Sequence, residues 1–183
     1  TVNNALLAAE LNGRADIPVF AGSAKPLVRP VRSASNIHGK SGLGASLELY
    51  AAHQPHPGCG ADFIAEMAKQ HAGRLEVLSL GPLTDVALAL QNAPEIAGMI
   101  ACITVMGGGI HTGNATKYAE FNIVADPEAA SVVFSSGVNT VMIGLDATNL
   151  CRQGRSDIET LSAPTKLGQI IPAMLRDYAD VYK

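Results

Sequence analysis

Three short, mostly apolar runs that each close on a glycine constrain this chain more than any other feature. They are Leu75–Leu80 before Gly81, Ile103–Met106 before Gly107, and Asn139–Ile143 before Gly144. Each reads as a buried strand, being short, rich in branched residues and bounded by a turn former. Helical patterns lie between them. One covers Thr84–Gln91, with Thr84 expected as N-cap, and Pro94–Met99 adds a short helical turn. Another runs from Pro127 to about Ser135, with Asp126 as N-cap and Pro127 at the first helical position. Strands alternating with helices imply an α/β fold: an open, mostly parallel, Rossmann-like sheet with helices on both faces. In such sheets a ligand sits beyond the carboxyl ends of the strands. Leu80, the loop after Met106 and the Asp146 turn should therefore border one crevice.

The flanking segments extend this pattern. Val2, Ala5, Leu6 and Ala9 follow helical spacing, and Gly13 closes that helix. Ile17–Ala21 reads as a further strand of the same sheet. Residues 23–60 are broken by prolines and glycines, apart from a short helical piece near Leu47–Ala52. Helices are expected at Asp62–Ala72, Arg155–Leu161 and Leu167–Tyr182. The 183 residues suffice for one domain with a real core. At 48% hydrophobic and 16% charged, the chain does not have the composition of a disordered one. A net charge of −3 without a basic stripe argues against nucleic acid as a partner. No apolar run reaches membrane-spanning length, so no membrane partner is expected. Cys59, Cys102 and Cys151 are scattered and fit reduced thiols in the cytoplasm. No charged-then-apolar segment opens the chain. The first residue is not Met, and the chain opens on a helical pattern, so a fragment of a longer protein is expected.

The stretch from Met106 to Ala130 concentrates the polar chemistry. Three glycines follow Met106 and allow a sharp turn and a close backbone approach. Asn114, Glu120 and Asn122 then arrive on a segment with no helical or strand period. Amide and carboxylate groups gathered past a strand end suit a hydroxyl-rich ligand, because each takes a sugar hydroxyl. Glu120 and Asn122 flank Phe121 without a capping or packing pattern. Asp126 and Glu128 read as helix-start chemistry, favoured by the N-terminal dipole. Asp146 reads as a turn former bonding its own backbone. The remaining histidines, His53, His56, His71 and His111, read as surface or loop residues.

Gly113-Asn114-Ala115-Thr116, Ala119-Glu120-Phe121-Asn122-Ile123 and Asp126-Pro127-Glu128-Ala129-Ala130 together resemble the signature of the inosine–uridine-preferring nucleoside hydrolases. Pro18–Gly22 with Pro26–Arg29 is similar to that family's early strand and loop. Ile37-His38-Gly39 resembles its His-Gly loop. Leu80-Gly81-Pro82-Leu83-Thr84 resembles its Gly-Pro-Leu-Thr-Asn turn, with Asp85 in place of Asn. Gly144-Leu145-Asp146-Ala147-Thr148 resembles its Gly-Leu-Asp-x-Thr turn. The resemblance runs from the first residue to about Tyr182. It implies hydrolysis of the N-glycosidic bond of ribonucleosides to ribose and free base, assisted by a calcium ion on the ribose. It places Asn114, Glu120 and Asn122 on the ribose hydroxyls, Met106 beneath the sugar and His38 close to the base. The Leu80 main-chain carbonyl becomes a calcium ligand. A homo-oligomer is expected.

The departures shape the functional expectation. Nothing here resembles the family's acidic Asp-x-Asp-Pro-Gly-x-Asp-Asp motif, which supplies calcium ligands and the water-activating base. Its later His-Asp pair, which supplies another calcium ligand and a candidate proton donor, is also missing. The catalytic base and acid are thus not assigned to any residue here. The chain alone is expected to be inactive, with a partial calcium site. The alternative is a non-catalytic remnant of the fold with weak nucleoside or sugar binding. A dinucleotide-binding oxidoreductase is a third reading, but Thr112 stands at the third glycine of the required fingerprint and a polar loop follows.

Overall fold

The structure, a computed structural model, describes residues 1–32, 38–39, 41–44, 49–152, 154–161 and 164–181. The chain divides into two compact units, one of residues 1–21, 33–57 and 153–183, the other of residues 22–32 and 58–152.

The second unit carries the alternating pattern. Its elements are α2 (Gly60–Gln70), β3 (Leu75–Ser79), α3 (Thr84–Asn92), a 3-10 turn (Pro94–Gly98), β4 (Ile100–Met106), α4 (Phe121–Ala125), α5 (Pro127–Phe134), β5 (Thr140–Ile143) and α6 (Leu145–Thr148). The strands form one parallel sheet in the order β3-β4-β5. Val77 is opposite Ile103 and Val105 opposite Met142, so the strands run in step to a common carboxyl end. Ile103 and Val105 are fully buried, and Ala87, Leu90, Ala129 and Val133 of α3 and α5 pack with them. Alternation along a strand sends successive side chains to opposite faces. Leu78, Val141 and Ile143 accordingly lie on the other face, where they are exposed. Helices α2, α3 and α5 pack on the first face.

Each helix starts where its sequence provides for it. Asp126 caps α5 by accepting from the Ala129 amide at 3.1 Å, and Pro127 opens the helix without an amide hydrogen to satisfy. Thr84 does not cap α3. Leu83 holds that position, and Thr84 is the first helical residue. Its hydroxyl instead donates to Asp126 Oδ2 at 2.6 Å. The acceptor of a neighbouring helix cap wins the hydroxyl that local spacing assigned to the helix end.

The first unit contains α1 (Val2–Leu11), α7 (Arg155–Thr160) and α8 (Lys166–Val181), with α8 packing against α1 and α7. The expected strand at Ile17–Ala21 shrinks to β1 (Phe20–Ala21). It pairs with β2 (His56–Cys59) in a separate two-stranded sheet rather than joining β3-β4-β5. Pro18 offers no amide hydrogen to a ladder, which confines pairing to the residues after it. The Val19 carbonyl accepts the His56 amide at 2.7 Å, and the Phe20 and His56 rings lie 4.8 Å apart. The expected helix near Leu47–Ala52 falls partly outside the described residues, and Leu49–Ala52 is not helical. Side chains of α1 compete for its backbone. Asn3 bonds Leu49 and Ala51, each at 2.9 Å, and the Glu10 carboxylate accepts the Ala52 and His53 amides at 3.1 and 2.7 Å.

Candidate active site at the strand ends

The parallel sheet delivers two main-chain carbonyls to one place. β3 ends at Ser79, one residue before Leu80, and β4 ends at Met106. The Asn122 side-chain amide spans them. It donates to the Met106 carbonyl at 3.0 Å and reaches the Leu80 carbonyl at 3.4 Å, with Met106 Sδ also at 3.4 Å. Leu80, Met106 and Asn122 therefore converge, as the position of the runs predicts.

Glu120 joins them through a role the sequence reading does not anticipate. The segment expected to lack regular structure contains α4, and Glu120 is its N-cap. Glu120 Oε2 accepts the Ile123 amide at 3.2 Å and the Gly108 amide at 3.0 Å. The residue is 3% exposed, so its carboxylate is directed inward at the glycine loop. A five-residue helix shows too little period to be read from sequence. Glutamate is also not among the favoured N-cap residues, whose short side chains bond their own helix more easily. Asn114 closes the intervening loop, accepting the Phe121 amide at 2.8 Å. Within that loop the Ala119 carbonyl gathers the amides of Asn114, Ala115 and Thr116 at 3.1, 3.0 and 3.2 Å.

The glycine loop is bolted to the next strand end. Gly107 N–H donates to the Ile143 carbonyl at 3.2 Å, and Leu145 N–H donates to the Gly108 carbonyl at 2.9 Å. A Cβ at Gly144 would sit 2.9 Å from that carbonyl oxygen, and Gly108 adopts a φ of +74°. Both positions thus require glycine for close approach or a left-handed backbone. Asp146 completes the clamp. It accepts the Ile110 amide at 2.6 Å and the His111 amide at 3.2 Å, so its main partners lie across the loop rather than in its own turn. The Ile110 amide bond, with the His111 bond behind it, holds the Asp146 carboxyl below its usual value of 3.8. The folded-state value is thus the depressed one. The clamp persists at neutral pH and is lost as pH falls through that lowered value. A pH titration of the Ile110 amide proton should show its midpoint below 3.8. A midpoint above it would show that the carboxylate does not hold the loop.

His38 belongs to the first unit, where its ring stacks on Tyr178 with centroids 5.4 Å apart and planes 11° apart. No group of three or more His, Cys, Asp or Glu able to hold a metal occurs among the described residues. Calcium takes roughly six to eight oxygen ligands. The Leu80 carbonyl with the amide groups beside it does not make that set.

The family profile described as inosine-uridine preferring nucleoside hydrolase matches residues 1–183. The pyrimidine-specific ribonucleoside hydrolase RihA of Salmonella enteritidis is 39% identical over 182 residues, covering 100% of this chain and 58% of that protein. RihA of Salmonella paratyphi B is 42% identical over 159 residues, covering 87% of this chain and 51% of the relative. Among solved structures, the plant nucleoside hydrolase PpNRh1 superposes with a TM-score of 0.93 at 31% identity, covering 99% of this chain and 58% of that one. The purine-preferring ribonucleoside hydrolase from Gardnerella vaginalis gives 0.92 at 31% identity, covering 99% and 59%. The chain thus spans little more than half the length of the proteins it matches. With a profile match along its whole length, the chain belongs to the inosine–uridine preferring nucleoside hydrolase family.

Proposed function

We propose that the protein containing this chain hydrolyses the N-glycosidic bond of ribonucleosides, and that these residues form the ribose-holding side of its site. The observation that carries the reading is the Asn122 amide, which ties the Leu80 and Met106 carbonyls together at the strand ends beside the inward-facing Glu120 carboxylate. Carboxylate oxygens and amide groups there match the hydroxyls of a ribose. A carboxylate close to the sugar also favours the positive charge that grows on it when the glycosidic bond breaks. Met106 packs beneath the sugar, and Asn114 completes the set within this unit. Relatives named pyrimidine-specific and purine-preferring both align with this chain, which favours a framework common to both kinds of nucleoside. Calcium dependence belongs to a fuller site, to which these residues contribute the Leu80 carbonyl. The free thiols of Cys59, Cys102 and Cys151 favour a reducing cytoplasm. The exposed Leu78, Val141 and Ile143 favour assembly of copies.

Calorimetric titration of the chain with uridine, inosine, uracil and hypoxanthine tests the reading. Both nucleosides should bind and the free bases should not. Bases that bind as tightly as their nucleosides would overturn it, as would a chain that binds neither nucleoside.

A further inference from the structure

We infer that Asp126 is a positioning residue, which sets the Asn122 amide against the Leu80 carbonyl without touching the ligand. The inference rests on the ribose-holding role proposed for Asn122. Asp126 is 1% exposed, and both its oxygens are taken up by protein donors. It is both the C-cap of α4, the helix carrying Asn122, and the N-cap of α5. Its Oδ1 accepts the Ala129 amide at 3.1 Å. Its Oδ2 accepts the Thr84 hydroxyl at 2.6 Å and the Leu27 amide at 2.9 Å. Thr84 begins α3, directly after the Leu80-Gly81-Pro82-Leu83 turn. One carboxylate therefore links the helix that presents Asn122 to the turn that presents Leu80, and pins a third segment at Leu27. The Arg29–Glu128 ion pair, 2.8 Å, supports that third tie from the surface.

A structural cap would need far less. The Ala129 bond alone suffices to start α5, and asparagine caps helices as well as aspartate does. The remaining two partners, an amide and a hydroxyl, both point donors at Oδ2. An asparagine there turns its NH₂ toward a donor at one oxygen site or the other, because only an ionised carboxylate accepts at every position. Aspartate is thus explained by the need to accept on both oxygens at once, from Ala129 at Oδ1 and from Thr84 and Leu27 at Oδ2.

The test compares Asp126→Asn, Thr84→Val and Thr84→Ser in the whole chain. The first readout is the Asn122 side-chain amide resonances in ligand-free protein. The second is uridine affinity. In D126N and T84V the Asn122 resonances should move or broaden, and uridine affinity should fall about tenfold. T84S keeps the hydroxyl and should retain both. If D126N and T84V melt at lower temperature yet leave the Asn122 resonances and the uridine affinity in place, the residue is merely structural and the inference is overturned. If D126N does not fold, T84V against T84S decides the question alone. If the parent chain binds no uridine, the ribose proposal fails, while the resonances still report whether Asp126 places Asn122.

Discussion

The 183-residue chain, assayed for free base from uridine or inosine with calcium present, is expected to turn over far below ordinary enzyme rates, which are on the order of 1 per second or more. Making a nucleophile from water near neutral pH requires a metal or a positioned base. Among the described residues no acidic or histidine cluster could hold a metal. Two further carboxylates of this unit are already committed. Asp126 is buried beneath three donors, and Asp146 clamps the amides of Ile110 and His111. What remains is the set proposed to hold a sugar, and holding substrate without favouring the transition state does not raise turnover. Base release near 1 per second from protein of verified mass would contradict this. It would mean that a water-activating group lies among residues assigned here to structure. A longer protein supplying the acidic motif and the His-Asp pair of the family should recover turnover.

Glu120→Ala carries the second large effect. The substitution strands the Gly108 and Ile123 amides and removes the cap of α4. A buried donor left without a partner costs about 1–3 kcal/mol, and a lost cap about 1 kcal/mol. The two overlap at Ile123, so the sum should come to about 2–4 kcal/mol, read as a lower urea midpoint. Nucleoside binding should disappear with it. Glu120→Gln separates the two roles. The Gly108 and Ile123 amides both donate to one carboxylate oxygen, and the glutamine carbonyl accepts in its place, so most of the stability should survive. The other oxygen becomes an NH₂, which no longer accepts a hydroxyl proton, so binding should still weaken. A glutamine variant that binds uridine as the parent does would remove Glu120 from the ribose site.

How far the sequence revealed this arrangement depends on distance along the chain. The strands at Leu75, Ile103 and Asn139 are legible because branched residues run up to a glycine, and they share one polarity in the sheet. Asp126 and Pro127 were legible as a helix start for the same local reason. What lay across the fold was not. The Thr84 hydroxyl read as a cap because spacing shows only its own helix, whereas Asp126, far along the chain, is its actual acceptor. Asp146 read as a turn former, while its partners sit on another loop. Glu120 had no local pattern because the helix it caps is too short to show a period and its second partner is Gly108. The Ile17 run failed for the opposite reason. Its local signal was adequate, but Pro18 and a neighbour at His56 decided which sheet it joined. The family resemblance supplied roles for Leu80, Met106, Asn114 and Asn122. Composition and spacing supplied only their location.

The most direct measurement is an NMR titration of the isotope-labelled chain with ribose. The Asn122 side-chain amide and the Gly108 and Ile123 backbone amides report from the point where the strand ends, the glycine loop and Glu120 meet. These three signals should shift together and saturate with one affinity. Signals that stay fixed while ribose is added, or shifts confined to residues away from Leu80, Met106 and Glu120, would contradict it.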